Sequence, residues 1–188
     1  YCVFTPSGAE ANDVAIKSAR RYTGRRKIVA LEQGYHGRSG LSGAAGDDSV
    51  AAWFGSDYPD EFIKVPFNDP DAMERALCRH EPTAVWNCAA YTQVDRAEED
   101  EALCRRVNVD GTTHVLRACE AHGIRFVVHT SSPSVVFDGK DMEGVDESVP
   151  YPDRYPAPYP QTKALAEREV VVSSRTGLKT ILLPPHLI

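Results

Sequence analysis

The chain lacks any apolar run approaching the ~20 residues that a membrane-spanning helix needs. Its 188 residues contain no CxxC pair and no Cys/His ligand spacing, so no metal site is expected. Positive charge is not in excess either. The 21 Lys+Arg against 27 Asp+Glu leave a formal net charge of −6, which argues against nucleic acid or an anionic membrane as a partner. The cysteines Cys2, Cys78, Cys88, Cys104 and Cys119 are odd in number, so free thiols in a reducing, cytoplasmic compartment are expected. A first turn of the form G-x-x-G-x-x-G, which a dinucleotide pyrophosphate requires, is also missing. No methionine or signal-like segment precedes Tyr1, and the chain stops just after a strand-like run, so it reads as a fragment. The length suits one α/β domain with its own core.

What is present is an alternation of short apolar runs and amphipathic segments. Strands are expected at residues 1–5, 27–32, 62–67, 84–90, 125–130 and 179–183, from compact β-branched and aromatic runs. Helices are expected at 9–22, 71–80, 99–122 and 160–173, with Gly123 as the stop after the third. Residues 38–60 are rich in Gly, Ala, Ser and Asp and read as a short helix with loops, and 138–158 as a loop rich in proline and acid. This order predicts an α/β fold: a three-layer Rossmann-like sheet, mostly parallel, with helices on both faces. The strand before Ser132 is expected to neighbour the strand ending at Ala89-Ala90, with the helix of Tyr159 and Lys163 across the carboxyl edge.

The chemistry-bearing stretch is Tyr159-Pro160-Gln161-Thr162-Lys163 together with Thr130-Ser131-Ser132. Tyr159 and Lys163 are four apart and share a helix face, so the ammonium can lower the phenol pKa and make it a general acid. Ser132, at a strand end, can hold the substrate oxygen. The run 157–167, with Thr130-Ser131-Ser132-Pro133-Ser134 before it, resembles the extended short-chain dehydrogenase/reductases, most closely the 3β-hydroxysteroid dehydrogenase and sterol-decarboxylating branch. Asn87-Cys88-Ala89-Ala90-Tyr91 and Val107-Asn108-Val109-Asp110-Gly111-Thr112 are similar to the same family. The resemblance implies catalytic Ser132, Tyr159 and Lys163, Ala89, Ala90, Lys163 and Pro185 on the cofactor side, and Asn108 steadying the active-site backbone. It also implies NAD or NADP, and a small-molecule substrate with a hydroxyl or keto group on a sterol-like or nucleotide-sugar body. The family's separate substrate domain would not fit in this length.

The first two-fifths of the chain resembles another family. Phe4-Thr5-Pro6-Ser7-Gly8-Ala9-Glu10 and Gly34-Tyr35-His36-Gly37-Arg38 are similar to class III pyridoxal-phosphate aminotransferases. That resemblance implies a phosphate cradle at Ser7, Gly8 and Ala9, and a ring-stacking Tyr35. The family's Schiff-base lysine motif is not found. A turn of small residues at a helix start is also a general anion seat. The chain therefore reads as a mosaic in one domain, residues 1–83 aminotransferase-like and 84–188 dehydrogenase-like. Three functions stand open: a weakly active dehydrogenase/reductase, a pyridoxal-phosphate binder, and a folded inactive chimera.

Overall fold

The computed structural model describes residues 2–53, 60–140, 142–146 and 148–184. Backbone contacts divide the chain into two compact units, Tyr1–Arg79 and His80–Ile188. Their boundary falls at the end of a helix, a few residues before the expected join at 83 and 84.

In the first unit, helix α1 (Gly8–Thr23) leads to strand β1 (Ile28–Leu31), short helices α2 (Gly40–Ala45) and α3 (Asp48–Trp53), strand β2 (Phe62–Val65) and helix α4 (Pro70–His80). β1 and β2 pair in parallel, Ile28 opposite Phe62. Ala44, Ala45 and Phe62 form the buried centre, with Ile16, Ile28, Ala30 and Leu41 packed around it. Gly24 ends α1 in the left-handed conformation at φ 70°, its N–H on the Arg20 carbonyl; a glycine takes that backbone angle without steric cost.

The strand expected at residues 1–5 does not form. Residues 2–5 have no ladder partner, and Val3 and Phe4 stand 71% and 95% exposed. A strand is stabilised by its neighbours rather than by its own propensity, and nothing in the described part of the unit pairs with this run.

The second unit runs β3 (Ala84–Asn87), α5 (Val94–Glu99), α6 (Glu101–Arg105), a π-helical turn at Arg106–Asp110, α7 (Gly111–Ala121), β4 (Phe126–Thr130), a 3-10 turn at Pro133–Val136, α8 (Pro158–Arg175) and β5 (Lys179–Leu183). The strands form one parallel sheet in the order β3-β4-β5. Asn87 lies opposite His129, and His129 opposite Leu182. The expected neighbourhood of the Ser132 strand and the Ala89-Ala90 strand is therefore present. Gly123 stops α7 as expected, at φ 68°. The amides of Gly123 and Ile124 return to the carbonyls of Glu120 and Cys119, the double closure of a Schellman motif.

Two expectations need correction here. The helix expected over 99–122 begins earlier, breaks at Asp100, and swells into a π turn at Arg106–Asp110. An apolar face fixes where a helix packs, but not whether its ladder slips by one residue. The strand expected over 84–90 stops at Asn87, because side chains take over its backbone groups: Asn87 Oδ1 accepts the Ala89 amide at 3.3 Å, and Asn108 Oδ1 accepts the Tyr91 amide at 2.7 Å.

Candidate active site

α8 is the positioning element of the second unit. Ala157 enters it in extended conformation, and Pro158 and Pro160 stand in the first turn, where a missing N–H costs nothing and a fixed φ helps start a helix. The small residues Ala164 and Ala166 are 1% and 0% exposed, so the helix backbone lies close to its neighbours. Lys163 lies on this packed face, although it is charged.

Lys163 is 3% exposed. Its Nζ donates to the carbonyl of Thr130 at 2.7 Å, at the C-terminal end of β4. Burial pulls its pKa down to about 8, against the opposing pull of Glu167 and Cys88. It therefore stays mostly protonated at neutral pH, with a far smaller margin than an exposed lysine. Tyr159 lies one turn earlier on α8 and is half-buried. Ser132 follows two residues after the Thr130 carbonyl; its hydroxyl caps the 3-10 turn, meeting Ser134 Oγ at 2.8 Å and accepting the Ser134 amide at 3.3 Å. The α8 helix packs on that turn. One β4 end and one α8 turn thus carry all three dehydrogenase-like side chains.

Asn108 lies inside the π turn, 2% exposed. Its Nδ2 donates to Thr162 Oγ1 at 3.0 Å, while its Oδ1 holds the Tyr91 amide. One side chain thus ties α8, next to Lys163, to the segment that follows β3. Ala89 and Ala90 lie in that segment, half-buried. Pro185 lies outside the described residues.

Four participants are not evident from the motifs. His129 is 1% exposed, with Nδ1 3.3 Å from Asn87 Nδ2 and Nε2 without a hydrogen-bond partner. Burial first, and then the Lys163 charge, push its pKa down to about 4. Glu167 accepts from the Tyr151 hydroxyl at 2.6 Å and from the Ser131 hydroxyl; burial and this carboxylate drive the Tyr151 pKa upward. Glu167 and Ser131 lie within the runs 157–167 and 130–134, whereas His129 and Tyr151 lie outside them.

In the first unit, Ser7, Gly8 and Ala9 open α1. Asn12 Nδ2 donates to the His36 carbonyl at 2.6 Å. Gly37, at φ +122°, lies so near that an added Cβ would fall 2.5 Å from Ala9 Cβ. The Gly34-to-Arg38 turn is thereby brought against Ala9, with Tyr35 68% exposed. The cradle is already engaged. Ser7 accepts the Glu10 amide at 3.3 Å, and its hydroxyl donates to the Glu10 carboxylate at 3.0 Å. This Ser-x-x-Glu arrangement resembles a capping box, and it already uses the Ser7 hydroxyl.

The 3-beta hydroxysteroid dehydrogenase/isomerase family profile matches residues 50–185, most of the chain. The chain belongs to that family. The match begins inside the aminotransferase-like segment. Among family-type relatives, the sterol-4-alpha-carboxylate 3-dehydrogenase (decarboxylating) of Schizosaccharomyces pombe is 46% identical over 77 residues, covering 41% of this chain and 23% of that protein. An acetylornithine aminotransferase of Bacillus cereus is 44% identical over 78 residues, 41% of this chain and 20% of that protein. A solved UDP-glucose 4-epimerase of Thermus thermophilus, in complex with NAD, superposes with a TM-score of 0.67 at 25% identity, over 90% of this chain and 50% of that one. The Rossmann-like α/β fold expected from the order of elements is thereby established. The chain spans about half the length of that epimerase, and the two curated matches cover less than a quarter of theirs. No helix among the described residues is long and apolar enough to cross a membrane.

Proposed function

We propose that this chain is the catalytic-site portion of an NAD(P)-dependent oxidoreductase of the extended short-chain dehydrogenase type, acting on a hydroxyl or keto group of a sterol-like or nucleotide-sugar substrate. The observation that carries the reading is the buried Lys163 ammonium on the Thr130 carbonyl, one turn from Tyr159 and two residues from Ser132. A lysine is rarely buried without a use for its charge.

The residues fit a nicotinamide group at one end only. Ala89 and Ala90 leave the backbone after β3 approachable by a flat ring, and Lys163 lies on the same edge of the sheet as the end of β4. When bound, a nicotinamide dinucleotide would supply or accept the hydride. For the pyrophosphate, Ser7, Gly8 and Ala9 do not fit, because the Glu10 carboxylate is already paired with Ser7. In reduction Tyr159 would give its phenol proton to the substrate oxygen as the ketone becomes a carbinol, and in oxidation its phenolate would take that proton back. Lys163, one helix turn along, would supply positive charge on the same helix face as that phenol. Ser132, freed from Ser134, holds the substrate oxygen.

The Bacillus cereus aminotransferase match and the unit boundary at Arg79 support the mosaic reading, with an aminotransferase-derived first unit. A pyridoxal-phosphate site there would have Ser7, Gly8 and Ala9 at the start of the helix that the Tyr35-bearing turn packs on, but no lysine in a Schiff-base setting. In the limiting case both half-sites are vestigial in a folded, inactive chimera.

Titrating the chain with NADH, NADPH and pyridoxal phosphate while following Trp86 fluorescence separates these readings. Dinucleotide binding weaker than about 1 µM, with no aldimine absorbance band, is expected. A stoichiometric band abolished by replacing one lysine would transfer the function to the first unit. No dinucleotide response at millimolar concentration would leave the chimera.

A further inference from the structure

The roles assigned so far leave Glu167 unused, although it is four residues past Lys163 and eight past Tyr159. Its carboxylate has two donors. The Tyr151 hydroxyl, from the 138–158 loop, donates to Oε1 at 2.6 Å, and the Ser131 hydroxyl donates to Oε2. Ser131 is 4% exposed and stands between Thr130, whose carbonyl receives Lys163, and Ser132. The Arg168 guanidinium lies over the Tyr151 ring, 4.6 Å from its centroid, so the loop is gripped from two positions on one helix turn.

We propose that Glu167 is the positioning residue of this site: one oxygen fixes the strand end that carries Ser132, the other fixes the loop through Tyr151, and the carboxylate stands one helix turn from the buried Lys163 ammonium. The proposal rests on the dehydrogenase reading for what the site does, and on the geometry alone for how it is held. Both donors are neutral hydroxyls, so neither brings a second positive charge to the carboxylate. Of the other titratable groups near Lys163, Cys88 pulls in the same direction as Glu167 but less strongly, and His129 does not. Cys88, at the end of β3, is a thiol whose pKa burial pushes up, and His129 on β4 is neutral above about pH 4. Asn108 in the π turn and Thr112 on α7 carry no charge. Glu167 is thus the larger of the two influences, ahead of Cys88, that oppose the desolvation of Lys163. Without it, the ammonium would be lost near neutral pH.

The test uses the full chain with 13C-labelled lysine, following Lys163 from pH 6 to 10, with Lys163→Met assigning the signal. Glu167→Gln keeps the volume and removes the charge. Its Lys163 midpoint is expected to fall by roughly one unit, whereas Tyr151→Phe leaves the midpoint in place and speeds amide exchange across 148–157 about tenfold. A folded Glu167→Gln chain whose Lys163 titrates unchanged overturns the proposal, and so does a Tyr151→Phe chain with unaltered loop exchange. If Glu167→Gln fails to fold, Ser131→Ala and Tyr151→Phe decide, because unchanged protection at 130–134 and 148–157 in both would refute the two ties. Absence of turnover alongside the expected midpoint shift would sink the dehydrogenase reading and leave the role of Glu167 standing.

Discussion

Two helices begin in this molecule with nearly the same backbone. Ser7 enters α1 at φ −152°, ψ 160°, and Ala157 enters α8 at φ −149°, ψ 160°. The polar groups at the start of α1 satisfy one another within a single turn, and the helix buries none of its residues. α8 has no side-chain cap; its Lys163 and Glu167 reach outward instead, to Thr130, Ser131 and Tyr151. An exposed helix can close polar contacts within its own first turn, whereas polar side chains on a buried helix face must find partners on other elements. Those distant partners turn a helix face into a site, while a self-satisfied turn has little left to offer a ligand.

The largest test of this contrast is Tyr159→Phe. If α8 is the working end, any hydride transfer should fall by roughly 10²–10⁴-fold with folding intact. Turnover that survives in a steady-state assay would place the activity elsewhere.

Next comes Gly37→Ala in the first unit. The new methyl would meet Ala9 backbone at 2.6 Å, at φ +122°, so a loss of about 3 kcal/mol is expected in urea unfolding. A neutral result would mean that the Gly34-to-Arg38 turn is not held against α1.

His129 should make the second unit sensitive to acid. His129 has a folded pKa of about 4, below its unfolded value of about 6.5. The unfolded chain therefore binds the extra proton between these values. The contribution is fully present above about pH 6.5 and is lost as pH falls toward 4, by about 3 kcal/mol in total. Denaturant midpoints measured at intervals from pH 7 to 4 should follow that slope in the native chain and lose it in His129→Leu.

Lys163→Met should do the opposite of a typical core substitution. The folded pKa of about 8 lies below the unfolded ~10.4, so the native chain gains stability as pH rises through that window. The methionine chain should be flat there, and more stable at pH 7 by about 1–3 kcal/mol after the lost bond to Thr130 is counted. Destabilisation at pH 7 would mean that the bond outweighs the burial cost. The smallest effect is at the other helix: Ser7→Ala should cost about 1 kcal/mol through the lost cap, with NADH binding unchanged. A loss of dinucleotide affinity in this variant would reverse the contrast between the two helix starts.

Much of this arrangement is legible in the order of residues alone. Period and composition place β1, β2, β4, β5 and α8 within a few residues, and the spacing of Tyr159, Lys163 and Ser132 marks the candidate site, because these signals are local. Ser7 and Glu10 are legible too, and their Ser-x-x-Glu spacing suits a cap as well as a cradle. The strand expected at residues 1–5 fails because a strand exists only if another chain segment pairs with it. The π turn around Asn108 forms where its side chain meets Tyr91 and Thr162, residues 17 and 54 positions away. The same holds for the charge state of Lys163, the neutrality of His129 and the double grip of Glu167. Local sequence determines which elements can form and which side chains share a face. Only the tertiary structure decides which polar groups are desolvated together, because burial and Coulomb energy depend on neighbours brought from far along the chain.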